Sequence, residues 1–415
     1  MGIAKPFEIS KRVVYDAYLQ VKSNKGAEGI DRQSIQGFEQ DLRNNLYKLW
    51  NRLSSGSYFP PAVLEVSIPK SNGGTRRLGI PTVADRIAQT VVKQYLEPLV
   101  EPYFHPDSYG YRPRKSALDA IGVARKRCWR YDWVVDLDIK GFFDNLDHKL
   151  VMRAVKKHTN CPWILLYVER WLKAPMQTQD GKIEARCKGS PQGGVISPLL
   201  ANMLMHYVFD NWMRQEHSSI PFERYADDAV VHCKTEKQAL FIRDKINQRL
   251  KCCKLELHPE KTRIVYCKDE LRNSAYQHTS FDFLGYTFRP RTNRTRFGRL
   301  FVSFSPAISD KAKKSIRGCI RQWKIHLWSG RTLISIAREI NSVVRGWIQY
   351  YGRFMRSEVR SAVQNIDAYL IRWAMGKYKR LRGRKRRASA WLERIRKEWA
   401  SLFVHWSAGF SRWAG

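Results

Sequence analysis

The stretch Val134–Phe143, VVDLDIKGFF, places two carboxylates near the end of a predicted strand. Alternate side chains of a strand share a face, so Asp136 and Asp138 are expected on one face and the apolar residues between them on the other. Carboxylates held together in this way can act as ligands of a hard cation.

A second acidic stretch, Phe222–Cys233 (FERYADDAVVHC), holds Asp227 and Asp228 between two apolar runs, which predicts a hairpin with both residues at its tip. Like charges a few ångströms apart raise each other's pKa unless a cation intervenes. Mg²⁺ takes carboxylate oxygens and completes its shell with water and substrate phosphates, as in nucleotidyl-transfer sites with two ions about 3.5–4 Å apart. Tandem Asp is also common in ordinary turns, so it indicates such a site only together with other residues.

The elements that must position these residues follow an α+β pattern over the first part of the chain, with short β-like runs such as Trp133–Ile139 and Asp228–Cys233. The passage Arg289–Ser305, RPRTNRTRFGRLFVSFS, is basic and turn-rich, and we place a domain boundary there. Beyond it, apolar residues recur at three- and four-residue steps. This spacing predicts amphipathic helices from Asp310 onwards and through Leu333–Trp347.

Composition excludes a disordered tail and points to an anionic partner. The 415 residues include 74 Lys and Arg against 38 Asp and Glu, a formal charge of +36, yet 43% of them are hydrophobic. Enough apolar surface is available to offset the entropy of ordering the chain. A charge this large opposes compaction by self-repulsion, so a polyanionic partner is expected in preference to a merely solvated basic surface.

No stretch approaches the roughly 18 apolar residues of a membrane span, and the N-terminus lacks the apolar region of a signal peptide. We therefore expect a cytosolic protein without a membrane partner. The eight cysteines are scattered, with no Cys-x-x-Cys pair, which predicts neither a disulfide framework nor a zinc site. They are expected to be mostly small core residues.

Eight of the fourteen tryptophans follow residue 320 and are interleaved with the cationic run Lys377–Arg387. Cations beside planar side chains suit phosphate contact and base stacking. Packing of the tryptophans in a helical core is an equally good interpretation. The residues of the run for which we predict nucleic-acid binding are Lys379, Arg380, Arg382, Arg384, Lys385, Arg386 and Arg387.

The two acidic stretches are part of an ordered series of sequence motifs. Asp138–Phe143 (D-x-x-x-x-F) and Tyr225–Asp228 (Y-A-D-D), about ninety residues apart, resemble motifs A and C of the reverse-transcriptase palm, and Gly189–Asn202 between them resembles motif B. Further blocks resemble, in the right order, the family's fingers, palm, primer grip and thumb: Asn24–Asp31, Ile68–Pro81, Asp85–Arg86, Leu257–Thr262, Phe283–Tyr286 and Ile340–Tyr351. The last block is similar to the thumb, or maturase X domain, of group II intron-encoded proteins.

The resemblance implies an RNA-directed DNA polymerase that adds dNTPs to a primer 3′-hydroxyl with two Mg²⁺ ions, for which Mn²⁺ is the expected substitute. Asp138 and Asp227 would bridge both ions and Asp228 would support them less directly, so these three are the expected catalytic and metal-binding residues. Asp136 is expected to be a solvated carboxylate, because the motif aligns with Asp138 instead.

The same resemblance implies a nucleotide pocket. Lys70 and Arg76 occupy the fingers positions that grip the triphosphate, and Gln192 and Gly193 line the pocket from motif B. Phe143 occupies the steric-gate position under the incoming sugar, with palm core as the alternative. Outside the pocket, Lys261 is implied as the general acid for leaving pyrophosphate.

As a fold, the resemblance implies a right hand: fingers and palm over residues 1–290, an all-α thumb or maturase X domain over 291–375, and a basic, Trp-rich C-terminal segment over 376–415. Ser-Pro-Gln-Gly-Gly favours the group II intron lineage. Many relatives append a Cys/His-containing HNH endonuclease, but Cys319 is the last cysteine, so we expect no cleavage of a second DNA strand by this chain.

The implied partners are an RNA template and DNA primer, dNTPs, the group II intron RNA in a ribonucleoprotein, and target DNA. The implied location is the bacterial cytoplasm, with nucleoid association on target DNA. Two alternatives are a domesticated reverse transcriptase used in repair or defence, and an RNA-binding splicing factor without polymerase activity. The three aspartates argue against the splicing factor, since binding alone does not require them, whereas the protein sequence does not separate the other two.

Overall fold

The computed structural model describes residues 5–69 and 74–410. The chain forms two compact units. The first unit comprises Met1–Ser116 and Val135–Ile264, and the second comprises Ala117–Val134 and Val265–Gly415.

Helices dominate both units. In chain order, the α-helices are α1 (Lys11–Ser23), α2 (Ile35–Glu39), α3 (Leu42–Ser55), α4 (Val83–Val100), α5 (Ala117–Cys128), α6 (His148–Lys156), α7 (Pro162–Lys173), α8 (Ser197–Met205), α9 (Asn211–Glu216), α10 (Glu236–Cys252), α11 (Asp310–Gln322), α12 (Leu333–Tyr351), α13 (Arg356–Val363), α14 (Asn365–Lys377), α15 (Lys385–Glu398) and α16 (Val404–Ser407). A π-helical turn joins α8 to α9, and short 3₁₀ turns occupy Glu101–Tyr103, Phe142–Asp144, Ile325–Leu327 and Lys379–Leu381.

Local sequence sets where many of these helices begin. A Ser, Thr or Asp side chain before the first turn accepts a hydrogen bond from a backbone N–H that the helix itself leaves unpaired. The residues that cap helices in this way are Ser10, Ser34, Thr82, Asp147, Thr235, Ser309 and Thr332. The predicted helices from Asp310 and through Leu333–Trp347 are confirmed as α11 and α12.

The strands form three sheets. In chain order they are β1 (Val63–Pro69), β2 (Thr75–Ile80), β3 (Trp133–Leu137), β4 (Met176–Gln177), β5 (Ile183–Glu184), β6 (Phe222–Tyr225), β7 (Asp228–Cys233), β8 (Arg263–Tyr266), β9 (Phe281–Phe283), β10 (Tyr286–Arg294) and β11 (Leu300–Ile308). Their orders are β2-β1-β4-β5, β6-β7-β3-β8 and β11-β10-β9.

The sheet that carries both acidic stretches places β3 between β7 and β8. Val135, Leu137 and Ile139 are buried, as the alternation predicts. Val134 is buried as well, so this strand is packed on both faces at its start and open only towards Asp136 and Asp138. Strict alternation therefore holds only at the end of the strand, because side chains on both of its faces are buried at its start.

The passage Arg289–Ser305, predicted to be turn-rich, instead lies almost entirely in a long antiparallel hairpin. Strands β10 and β11 pair from Tyr286↔Ile308 to Arg294↔Leu300 without interruption. Phe288, Phe304 and the neighbouring Phe281 are buried at its base. The high density of Arg, Thr and Asn suggests loop, but aromatic residues at alternate positions decide in favour of strands.

The second unit has an apolar core built from α11 to α16, in which most tryptophans pack. Trp373, Trp391 and Trp406 are buried, while Trp323, Trp328 and Trp347 pack against the same core with part of each ring open. Trp399 is exposed. Core packing is therefore the main role of the described tryptophans after residue 320.

All eight cysteines are free thiols, but only Cys128, Cys233 and Cys267 are buried, and Cys187 and Cys252 are exposed. The expectation of mostly buried cysteines is therefore wrong. Within the described residues, no helix combines the length and apolar character needed to cross a bilayer.

Candidate active site

Asp227 and Asp228 lie on a tight hairpin, as the sequence predicts. Tyr225 pairs with Asp228, which leaves Ala226 and Asp227 as a two-residue turn between β6 and β7. Ala226 has φ +58°, a left-handed conformation that two-residue hairpin turns usually assign to glycine. A non-glycine residue in this region costs about 1–3 kcal/mol and persists only where the surroundings enforce it.

The buried side chain of Arg224 stabilises this conformation of Ala226. Its guanidinium is fully buried and donates to both carboxylate oxygens of Asp210, at 2.7 and 2.6 Å. The same group donates to Ser108 Oγ at 2.8 Å, to Asn202 Oδ1 at 3.1 Å and to the carbonyl of Ala226 at 2.8 Å. The strained turn is thus held by the Arg224 guanidinium, whose charge is neutralised by Asp210 and whose N–H groups are hydrogen-bonded.

Gly110 completes the support of the turn. A Cβ at this position would lie 2.4 Å from the backbone nitrogen of Ala226, so no larger residue fits without moving the hairpin. The carbonyl of Gly110 accepts a hydrogen bond of 2.6 Å from Asn202 Nδ2 on α8. Beside it, the rings of Tyr111 and Tyr225 lie 6.0 Å apart.

Asp138 follows β3 directly, and backbone pairing with the segment before β8 fixes its position. The amide of His258 donates to the carbonyl of Asp138 at 2.7 Å, and the amide of Lys140 donates to the carbonyl of Glu256 at 2.9 Å. The Asp138 carboxylate lies 3.5 Å from Lys261 Nζ. The structure therefore brings Lys261 to Asp138 as an ion pair.

The three aspartates share one electrostatic environment. Loss of hydration raises the pKa of Asp228 to about 7, and the charges of Asp227 and Asp138 add to it, against the opposing effect of Lys261 and Arg76. Burial likewise raises the pKa of Asp227, again reinforced by Asp138. Asp228 keeps part of its side chain open to solvent, which screens this repulsion.

This donor set fits a divalent cation. Carboxylates that raise one another's pKa are sites where a hard cation removes an unfavourable repulsion. Among the residues that the structure describes, no three acidic, His or Cys side chains form a ready-made metal cage. Mg²⁺ sites rely on a few carboxylates and take their remaining ligands from water and substrate phosphates.

Arg76, Gln192 and Gly193 are brought together, and Lys70 lies outside the described residues. The Arg76 guanidinium on β2 donates a hydrogen bond to Gln192 Oε1, and the amide of Gly79 donates to the carbonyl of Gln192 at 2.9 Å. Gly193 has φ +126°, and a Cβ there would lie 2.6 Å from the carbonyl oxygen of Gly79. Only glycine allows this close approach of the loop to the strand.

Phe143 is buried and lies beside the motif B loop. Its ring packs edge-on against Phe142 at 5.3 Å between centroids, and its carbonyl accepts a hydrogen bond of 2.8 Å from the amide of Ser190. This position suits a wall of the nucleotide pocket and suits a core residue equally. The steric gate therefore stays a prediction.

A buried hydrogen-bond network holds the motif B loop at Ile196. Asp85 on α4 accepts hydrogen bonds from Tyr58 Oη at 2.7 Å, Trp171 Nε1 at 2.7 Å and Gln89 Nε2 at 2.9 Å. The amide of Gln89 is thereby oriented so that its oxygen accepts from the backbone N–H of Ile196 at 3.2 Å. Burial raises the pKa of Asp85, and its three donors oppose that shift.

The sequence alone does not single out Arg224, Gly110 or Gln89, which hold the functional loops without carrying chemistry. Arg224 immediately precedes Tyr-Ala-Asp-Asp, and because β6 also contains the charged Glu223, no local signal in the sequence distinguishes it. Gly110 and Gln89 become visible only through contacts between distant parts of the chain.

The seven cationic residues predicted to bind nucleic acid, between Lys379 and Arg387, are all exposed. They occupy the turn Lys379–Leu381, the following loop and the start of α15. Leu381, in the middle of this segment, is buried and anchors it to the helical core. The cations are thus displayed on an ordered segment.

Comparisons with known proteins identify the family of this chain. Residues 68–288 match the family described as reverse transcriptase (RNA-dependent DNA polymerase), and residues 313–391 match the group II intron maturase-specific domain. The chain is 31% identical over 355 residues to Protein YkfC of Escherichia coli (strain K12), a match that covers 75% of this chain and 88% of that protein. It is 27% identical over 431 residues to the group II intron-encoded protein LtrA of Lactococcus lactis subsp. cremoris, covering 82% of this chain and 68% of LtrA. A shorter match to nuclear intron maturase 1, mitochondrial, of Arabidopsis thaliana is 29% identical over 106 residues, or 25% of this chain and 15% of that protein.

Proposed function

This chain belongs to the group II intron-encoded reverse transcriptases that carry a maturase domain, and we propose that Asp138, Asp227 and Asp228 form its catalytic centre. It is an RNA-directed DNA polymerase that also serves as a maturase in group II intron splicing and mobility. The observation that carries the proposal is that neighbouring strands bring Asp138 and the Asp227–Asp228 turn together, close enough that, beyond the effect of burial, the charge of Asp138 raises the pKa of both Asp227 and Asp228.

The three carboxylates would hold two Mg²⁺ ions, with Mn²⁺ as a substitute. When bound, such ions lower the pKa of the primer 3′-hydroxyl and neutralise the triphosphate and the leaving pyrophosphate. The chain's own contribution is to hold the carboxylates rigidly, which Arg224 and Gly110 do for Asp227 and Asp228. Positioning and charge neutralisation supply most of the rate in this chemistry.

The surrounding residues would bind and select the nucleotide. Arg76 and Lys70 would contact the triphosphate, while Gln192 and Gly193 would shape the pocket. Support for Arg76 comes from its hydrogen bond to Gln192 and from its effect on the pKa of Asp228. Phe143 would exclude a ribose 2′-hydroxyl.

Lys261 would donate a proton to pyrophosphate. Its ammonium is partly open to solvent and lies within ion-pair distance of Asp138. It is therefore next to the proposed catalytic carboxylates and is not held in a buried ion pair.

The finer arrangement is likewise a proposal: fingers and palm over residues 1–290, a thumb or maturase X domain over 291–375 and the basic segment over 376–415, arranged as a right hand. The expectation that residues 291–375 are all-α is wrong at their start, where the end of β10 and all of β11 precede the first helix, α11. The expected substrates are an RNA template with a DNA primer and dNTPs, and the expected larger partners are intron RNA and target DNA. The exposed cations between Lys379 and Arg387 support contacts with phosphate backbones.

Metal-directed backbone cleavage would test the centre without relying on polymerisation. Fe²⁺ in place of Mg²⁺, with ascorbate and peroxide, generates radicals that cut the chain next to the bound ion. We expect cuts flanking Asp138 and the Asp227–Asp228 turn, suppressed by excess Mg²⁺ and lost in Asp138→Asn. Cuts elsewhere, or cuts that Asp138→Asn does not change, would contradict this metal site.

A further inference from the structure

The hairpin of β10 and β11 ends in an exposed tip, Arg294–Leu300, which is separate in sequence from the residues proposed for catalysis and nucleotide binding. Its loop is ordered by its own hydrogen bonds. The amide of Thr295 donates to the carbonyl of Arg299 at 2.8 Å, and the amide of Gly298 donates to the carbonyl of Thr295 at 3.0 Å. Gly298 has φ +88°, as in three-residue hairpin loops that close on a left-handed glycine.

At the apex of this ordered loop stands an aromatic ring with almost no protein contact. Phe297 is 94% exposed, and Leu300 at the start of β11 is 64% exposed. Leu271, 93% exposed, belongs to a neighbouring segment whose Glu270 amide donates to the carbonyl of Val302 at 3.1 Å. Single exposed apolar residues are ordinary, but three around one basic turn, with a ring at the apex where small polar residues are usual, indicate a binding surface.

The charge around the ring is uniformly positive on the hairpin itself. Residues 286–308 contain five arginines and no Asp or Glu. Of these, Arg291 is buried at the base, 3.7 Å from Glu358, whereas Arg294, Arg296 and Arg299 surround the tip and are exposed. Arg299 lies 3.6 Å from Glu270, an exposed pair that contributes little and is easily exchanged for a phosphate.

The base of the hairpin is anchored, so the tip is presented at a fixed position within the second unit. Trp129 Nε1 donates to the carbonyl of Phe304 at 3.0 Å, and Asn293 Nδ2 donates to Ser303 Oγ at 2.6 Å. Arg291 Nε also donates to the carbonyl of Ser305 at 3.2 Å. A rigid support lowers the entropy lost when the tip binds a partner.

We propose that the tip Arg294–Leu300 is a binding site for an unpaired base in structured RNA, with Phe297 stacking on the base and Arg294, Arg296 and Arg299 contacting the flanking phosphates. Every base offers a face for stacking, and arginines supply the phosphate contacts. Unpaired bases in loops and bulges are accessible, whereas the deep, narrow groove of an A-form helix does not admit side chains. The assignment to RNA rests on the maturase function, which brings a folded RNA to this chain.

The test uses a fluorescent RNA stem–loop with a bulged 2-aminopurine, and the same stem with the bulge deleted. We expect Phe297→Ala and Phe297→Leu to weaken binding of the bulged RNA about ten-fold, equivalent to about 1.4 kcal/mol, within the range for one stacked base. Phe297→Tyr should retain binding within about two-fold, because it keeps the ring. The 2-aminopurine signal should change on binding of the wild type and of Phe297→Tyr only.

Three controls establish whether a loss of binding arises at this tip. Tyr103→Ala removes an exposed aromatic residue elsewhere and should leave binding of the bulged RNA unchanged. Because Phe297 is almost fully exposed, its variants should keep the wild-type melting temperature. Replacing Arg294 and Arg296 by Gln should weaken binding of both RNAs. It should also reduce the slope of log K against log salt concentration by about 0.7–0.9 for each phosphate that is no longer neutralised.

Equal binding of the bulged RNA by Phe297→Ala and the wild type would overturn the proposal. So would tighter binding of a deoxyribonucleotide version of the bulged probe, which would assign the tip to a DNA strand. Primer extension on poly(rA)/oligo(dT) should be unaffected by Phe297→Ala, and a parallel loss there would assign the tip to the template–primer duplex instead. Absence of primer extension by the wild type would refute the proposed catalytic centre, a result distinct from any of these.

Discussion

Asp228→Asn should make the metal-free protein more stable while destroying its polymerase activity. The pKa of Asp228 is about 7 in the folded protein, against the ordinary 3.8. The charged form of this carboxylate therefore lowers the free energy of unfolding. The full difference corresponds to about 4 kcal/mol at 1.36 kcal/mol per pKa unit. Because the side chain is partly open to solvent, screening reduces this value, and we expect a gain of about 1–2 kcal/mol.

The gain should depend on pH in a defined direction. Above about pH 7 the carboxylate is charged in both the folded and the unfolded chain, so the folded protein bears the whole cost. As the pH falls from 7 towards 3.8, the folded protein takes up the proton first and the cost disappears. The advantage of Asn over Asp should therefore be largest above pH 7 and shrink towards pH 4.

Thermal unfolding with a chelator, at several pH values, measures this directly. We expect a rise of about 1–2 °C in melting temperature per kcal/mol at slightly alkaline pH. Saturating Mg²⁺ should reverse the order, since it stabilises the wild type in proportion to its binding and the variant less. Asp16→Asn, a surface acid paired with Arg12, is the matched control and should change stability by less than about 0.5 kcal/mol. A metal-free variant no more stable than the wild type at any pH, or one stabilised by Mg²⁺ as strongly as the wild type, would refute the reasoning.

Three further predictions concern the pocket, the turn and the basic segment. Phe143→Ala should raise the kcat/KM for rATP relative to dATP about ten-fold, or about 1.4 kcal/mol; equal losses on both with a lower melting temperature would identify Phe143 as core alone. Arg224→Lys keeps the buried charge but not the five hydrogen bonds, so kcat for primer extension should fall at least about ten-fold with little change in the KM for dNTPs; an unchanged kcat would show that the turn needs no such support. Gln at the seven cationic positions between Lys379 and Arg387 should weaken RNA binding and flatten its salt dependence. Substitution is preferable to removing everything after Met375, because Trp391 and Trp406 belong to the helical core; an unchanged salt slope would mean that these cations only solubilise.

Much of the fold and the site can be predicted from the sequence because the relevant signals are local. The Asp227–Asp228 hairpin, the end of β3 at Asp138 and the amphipathic α11 all follow from residue type and spacing over a few positions. The motifs then relate these local elements to a family, which the matches over residues 68–288 and 313–391 confirm.

What escapes prediction depends on contacts between distant residues. The β10–β11 hairpin is rich in residues typical of loops, and burial of Phe288 and Phe304 decides its conformation. The strain at Ala226 is invisible without knowing that Arg224 and Gly110 converge on it. Such support is set by the folded arrangement, so no short motif encodes it.

The central claim is most directly tested with Asp227→Asn, which removes one proposed metal ligand but leaves the cationic surface unchanged. Primer extension on poly(rA)/oligo(dT) should be abolished, while RNA binding and assisted splicing, measured on the same preparation, should remain close to the wild type. Retained polymerisation would contradict the assignment of the catalytic centre to Asp138, Asp227 and Asp228.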